Sequence, residues 1–244
     1  IARVHKDLLP QSFELDKIHK MTGAIRTDYY RYSLPWGQEG VQIIKADGYM
    51  GFTQMMSAWK SKWNAAVDQF LTVYPQLQQD AKWKLNSLYR DEDYPDVDRL
   101  REKFSMNIGF LPVPNADDWR VDLSATEIDG LRRQITEQVI ASQATAMQAA
   151  WQRVYDVVSK AHERLKEPDN IFRDSLVENA RELCAILPGL NISDDPELEK
   201  MRQTLEGTLC KHDAQALRED VKLRKETSDK LAAVMAKMEA VYCG

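Results

Sequence analysis

The side chains able to do chemistry are scattered along this chain. His5, His19, His162 and His212 stand alone, and "HERLK" at 162–166 lacks the second histidine of a zinc-protease helix. Cys184, Cys210 and Cys243 do not have the spacing of zinc ligands. Cys210 and His212 are close at a helix end but have no further partners in sequence, so no metal site is expected. "DEDYPDVDRLRE" (91–102) partly matches a calcium loop, with Asp91, Asp93 and Glu102 in the first, third and twelfth places. Its fifth place is Pro95 and its sixth is Asp96, where the loop's sharp turn needs glycine. A surface turn with helix-capping aspartates is the better reading. Glycine-rich phosphate loops and the GxSxG elbow are missing. No catalytic residue is nominated and no cofactor is expected.

Two other groups suit binding. Tyr29, Trp36, Arg26, Arg31, Lys45, Lys60 and Lys62, with Tyr30, Tyr32, Trp59 and Trp63 nearby, combine stacking rings and cations. That combination suits single-stranded nucleic acid. The competing reading buries Trp59 and Trp63 in a helix seam and Tyr30 and Tyr32 on the apolar face of a strand. Met147, Trp151, Val154 and Val158, spaced 4-3-4, form a helical stripe that could meet a partner helix or serve as internal core. Leu217–Met238 is a second such stretch.

These residues need elements to hold them. Ser12 can cap a helix to about Tyr29. Period-two alternation at Tyr30, Tyr32, Leu34 and then Val41, Ile43, around "PWGQEG", reads as a β-hairpin. Phe52, Met56, Trp59, Trp63, Ala66, Phe70 and Val73 make a heptad seam, ended or kinked at Pro75. A shorter helix follows, carrying Leu77, Ala81, Trp83 and Leu88. Met106, Ile108, Phe110 and then Trp119, Val121, Leu123 read as a second hairpin. Ser124 and Glu127 fit a capping box that launches a helix to about Lys166, roughly 60 Å long. Further helices are expected over 172–187, closed by Pro188-Gly189, from Asp195-Pro196 through Leu209, and from an Asp213 cap to about Tyr242. The resulting fold class is mainly α. Long antiparallel helices form a coiled-coil-like hairpin, with a small antiparallel sheet from two hairpins at about 30–45 and 105–123. Residues 1–244 read as one elongated helical domain.

Composition sets bounds. Hydrophobic residues make up 43% and charged residues 29% of 244, a globular profile. No stretch reaches the ~18–20 apolar residues of a membrane span, and 1–11 has no apolar core of signal-peptide length. The chain lacks an initiator Met, which points to a missing or processed N-terminus. Three scattered cysteines argue against a disulfide framework and for a reducing, cytoplasmic setting. Residues 1–90 hold 12 Lys+Arg against 8 Asp+Glu, and the remainder 21 against 30. The N-terminal third is basic and aromatic, and the rest is acidic.

"PW…G…IIKADGYMGF", "YRDEDYP" and "FLPVPNADDWRVDLS" before a very long helix resemble an uncharacterised family of phages, plasmids and conjugative elements. The genes of that family sit near those of a MoxR-type AAA+ ATPase and a von Willebrand A-type protein. The resemblance implies a mobile-element protein in a bacterial host cell, working beside an ATPase. Its motifs are structural, so no functional residue is carried over. The expected function is a non-enzymatic interaction or scaffold protein, self-associating or bound to the ATPase. The alternative is a single-stranded nucleic-acid-binding accessory protein in phage replication or recombination.

Overall fold

A computed structural model describes residues 7–9, 12–115 and 125–242. The chain is mainly helical. Eight α-helices and one two-stranded antiparallel sheet occur among the described residues. They divide between two compact units, residues 1–31 with 50–112 and residues 32–49 with 113–244.

The first unit is built on α1 (Phe13–Arg31) and α2 (Tyr49–Leu85). Ser12 Oγ accepts from the Leu15 amide at 3.2 Å, as the sequence predicts for the cap. The two helices run antiparallel, because contacts climb one as they descend the other. Lys17 reaches Gln69, Thr22 accepts from Trp63, and Asp28 accepts from Trp59. Phe52, Met56, Trp63, Ala66 and Phe70 of the seam are buried, while Trp59 and Val73 are half-buried.

Pro75 does not end α2, one of the two outcomes expected there, and the separate helix expected over 76–90 is its continuation as far as Leu85. A mid-helix proline costs about 3 kcal/mol, whereas each large buried side chain returns about 1.5–3. Phe70, Leu71 and Tyr74 before Pro75 and Ala81 after it are all buried, so unwinding would forfeit more than the proline costs. Trp83, expected to help pack this helix, is 87% exposed. Beyond the helix, Asp96 caps α3 (Val97–Glu102) by accepting from the Arg99 amide at 2.9 Å, the capping role read from the acidic turn.

The hairpin is shorter than expected. α1 continues through Arg31, so Tyr29 and Tyr30 are helical, and only β1 (Leu34–Pro35) and β2 (Gln42–Ile43) pair. Tyr30 and Tyr32 are therefore exposed, not on a buried strand face. The turn needs Gly37 (φ 62°) and Gly40 (φ 82°) in the left-handed region, where a Cβ is disfavoured. The second hairpin does not form in its described part, since residues 104–115 contain no strand. Phe104 instead packs on Trp63 and Phe70, and Phe110 on Phe52, so aromatic packing takes the place of a ladder. Trp119–Leu123 and the Ser124 end of the capping box lie outside the described residues.

The second unit is organised by α4 (Ala125–Leu165), 41 residues long. Ala146, Ala150, Val154, Val158, Ala161 and Leu165 are all at or below 1% exposure and form its core face. On this face pack β1 through Leu34, α5 (Ser175–Leu190) and α8 (Val221–Tyr242). α4 and α8 are antiparallel. Tyr155 meets Glu239, His162 meets Ser228, and the Leu165 carbonyl meets Arg224.

Pro188 does not close α5, because buried Leu187 and Leu190 hold the helix through it. α6 (Pro196–Leu205) starts at the Asp195 cap and widens into a π-helical stretch, Glu206–Cys210. The final helix expected from Asp213 is two. Asp213 caps α7 (Ala214–Glu219), the backbone turns extended at Asp220, and the Asp220 carboxylate accepts from the Leu223 amide at the start of α8.

Candidate functional site

The side of α4 next to its core face lines a groove. Ala144, Gln148 and Gln152 follow one i,i+4 row, and Met147, Trp151 and Tyr155 follow the next. Met238 and Glu239 of α8, with Ser193 and Asp195 ahead of α6, form the facing wall. The groove encloses about 820 Å³, within the range of about 300–1,000 Å³ usual for binding sites.

Its geometry is set by hydrogen bonds from both walls. The Trp151 indole Nε1–H donates to Asp195 Oδ2 at 3.1 Å, while Asp195 Oδ1 accepts from the Glu197 and Leu198 amides. One carboxylate thus caps α6 and fixes the indole. Asn191 pins the loop by donating from Nδ2 to the Asp195 carbonyl and accepting from the Asp195 amide at Oδ1. Tyr155 OH donates to Glu239 Oε1 at 3.0 Å, so the second carboxylate is also held against an aromatic ring. The described lining carries these two carboxylates and no lysine or arginine. Methionine and aromatic surfaces supply adaptable apolar contact, and the carboxylates favour a cationic group. A smaller depression of about 200 Å³ adjoins it, sharing Trp151 and Met238 and adding Glu197, Lys200, Met201 and Lys237.

Of the stripe singled out from sequence, Met147 and Trp151 line the groove, Trp151 as a buried member of the core, and Val154 and Val158 lie wholly inside that core. The 4-3 spacing is common to both roles, which is why periodicity alone does not separate them. In sequence Asp195 reads only as a helix start, and Tyr155 and Glu239 sit in ordinary helical runs that carry no signal of a groove.

The aromatic and basic set is divided between the units. Arg26, Tyr29, Arg31, Lys60 and Lys62 belong to the first, while Trp36 and Lys45 belong to the second. Lys45 forms an ion pair with Asp194, and Trp36 packs against the core of the second unit. Arg26, Lys60 and Lys62 are exposed, and the Lys62 ammonium stands 5.3 Å from the centre of the Trp59 ring. Tyr29 is half-buried between Tyr30 and Phe52, and burial raises its hydroxyl pKa.

The architecture and groove define a mainly helical protein with an apolar, acid-rimmed groove along α4. Compared with known proteins, the chain matches no family model, no curated protein and no solved structure. No helix among the described residues is long and apolar enough to cross a membrane.

Proposed function

We propose that this chain is a non-enzymatic interaction protein whose α4 groove receives a basic amphipathic helix from a partner protein. The observation that carries this reading is the lining itself: Met147, Trp151, Tyr155 and Met238 flanked by Asp195 and Glu239, with no lysine or arginine among the described lining residues. A helix with apolar residues at i and i+4 and a lysine or arginine beside them matches that pattern. Sequence resemblance to mobile-element proteins encoded beside a MoxR-type AAA+ ATPase makes that ATPase the first partner to try.

The test is a fluorescence-anisotropy titration with a labelled lysine-bearing amphipathic helical peptide and its glutamate-bearing counterpart. The basic peptide should bind and the acidic one should not. Glu239→Lys, at an exposed position, should weaken binding by about tenfold, the equivalent of about 1.4 kcal/mol. Ala144→Trp should block the groove from an exposed position that the core does not use. Unchanged affinity in both variants would remove the groove as the site.

A second reading, binding of single-stranded nucleic acid, is supported by Arg26, Lys60 and Lys62 standing exposed on one unit. It requires oligonucleotide affinity that falls steeply with salt and with Lys60→Glu.

A further inference from the structure

Cys184 and Cys210 are 26 positions apart in sequence, yet their sulfurs lie 3.8 Å apart. Cys184 is on the inner face of α5 and is buried. Cys210 is half-buried and is the last residue of the π-helical stretch that follows α6. We propose that the two thiols are a reversible redox pair, converted by peroxide into an intramolecular disulfide that ties α5 to the end of α6.

Three observations favour this over two inert thiols. A disulfide is about 2.05 Å long, so the sulfurs must approach by less than about 2 Å. Cys210 sits where this movement is cheap, at a helix terminus just before the turn at Lys211 and His212. A cation is anchored beside it. Arg181 donates from Nε to the Cys210 carbonyl and from Nη2 to the His212 carbonyl, at 2.9 Å each, which anchors the guanidinium beside the half-buried thiol.

The thiols are not equivalent. The contact with Cys184 holds the Cys210 thiol below its usual pKa, with Arg181 adding to the effect and burial and Glu206 opposing it. The same contact, together with burial, pushes the Cys184 thiol up. Cys210, the half-buried thiol beside Arg181, is the nucleophile that meets the oxidant, and the buried Cys184 is the resolving thiol.

In the first step the Cys210 thiolate attacks one peroxide oxygen. The O–O bond breaks, Cys210 becomes a sulfenic acid, and hydroxide leaves. In the second step Cys184 sulfur attacks the Cys210 sulfur, the S–O bond breaks, and the thiol proton leaves with the hydroxyl as water. Two electrons pass from the two thiols to peroxide. A small thiol reductant reverses the change by exchange. The disulfide would fix one end of α6, whose other end begins at Asp195 in the groove wall.

The test uses the full chain carrying Cys243→Ser, so that two thiols remain. Reduced protein is exposed to hydrogen peroxide, alkylated, weighed intact and peptide-mapped. The expected result is loss of both alkylatable thiols, a Cys184–Cys210 linked peptide, and full recovery of both thiols with dithiothreitol. Cys184→Ser should stop at a sulfenic acid on Cys210 that dimedone traps, whereas Cys210→Ser should leave Cys184 unlabelled. Two thiols that stay alkylatable, a bond formed only between chains, or dimedone labelling of Cys184 in preference to Cys210 would each overturn the proposal. The unsubstituted pair is read directly, so the result stands even if a serine variant folds poorly.

Discussion

The Arg224 guanidinium closes the C-terminal end of α4, with its Nε 3.2 Å from the carbonyl of Leu165. Its remaining donors reach the carbonyls of Arg164, Glu167, Pro168 and Asn170 at 2.6–2.8 Å. The group is 5% exposed, and all five of these acceptors are backbone carbonyls. Its charge is balanced by orphan carbonyls at the negative end of the α4 dipole and by the Phe172 ring, 5.3 Å away. α8 thereby fixes where α4 stops, and with it the facing wall of the groove.

Arg224→Ala should lower the unfolding free energy by about 3–5 kcal/mol, since it removes the hydrogen bonds of a buried guanidinium to five carbonyls at once. Arg224→Lys should recover only part of this, because an ammonium has three donors and no planar fork. Urea denaturation followed by circular dichroism measures both; equal stability of all three proteins would refute the capping role.

Val154→Ala should cost about 2 kcal/mol by leaving a cavity in a fully buried face, and Val154→Asp should prevent folding. Gln152→Ala, two positions away on the exposed side, should stay within about 0.5 kcal/mol. The same denaturation curves check the contrast between core and groove on one helix.

Asp195→Ala removes the α6 cap and the acceptor for Trp151 together. A loss of about 1–2 kcal/mol is expected, with Asp195→Asn in between. If the bond to Trp151 contributes, Asp195→Ala combined with Trp151→Phe will be less costly than the sum of the two changes.

Glu199 accepts from Arg202 and Gln203, and the Arg202 hydrogen bond leads in holding its carboxyl at about 2, below the ordinary 4.5. A depressed carboxylate stabilises the fold above its unfolded pKa and loses that contribution as pH falls through the folded value. Stability should therefore decline between pH 4.5 and 2 through this group. Glu199→Gln should flatten that part of an acid titration monitored by thermal melting, and added salt should flatten it in the parent protein.

Local interactions made much of the fold readable from sequence. The caps at Ser12, Asp96, Asp195 and Asp213 depend on a side chain reaching an amide two or three residues ahead, and each forms. The α4 seam from Val154 to Leu165 follows from a period that the backbone imposes wherever a helix forms. Tertiary structure decided the rest. Helix continuation through Pro75 and Pro188 depends on burial of flanking residues, which outweighs the lost amide. Exposure of Tyr30 and Tyr32 depends on α1 running on to Arg31. Val154 is enclosed within the core while Trp151, also buried, borders the groove, because other elements cover α4 unevenly around its circumference. The contacts of Cys184 with Cys210, Trp151 with Asp195 and Arg224 with Leu165 span 26, 44 and 59 residues. No local spacing rule encodes such pairs, because their geometry comes from how whole helices pack.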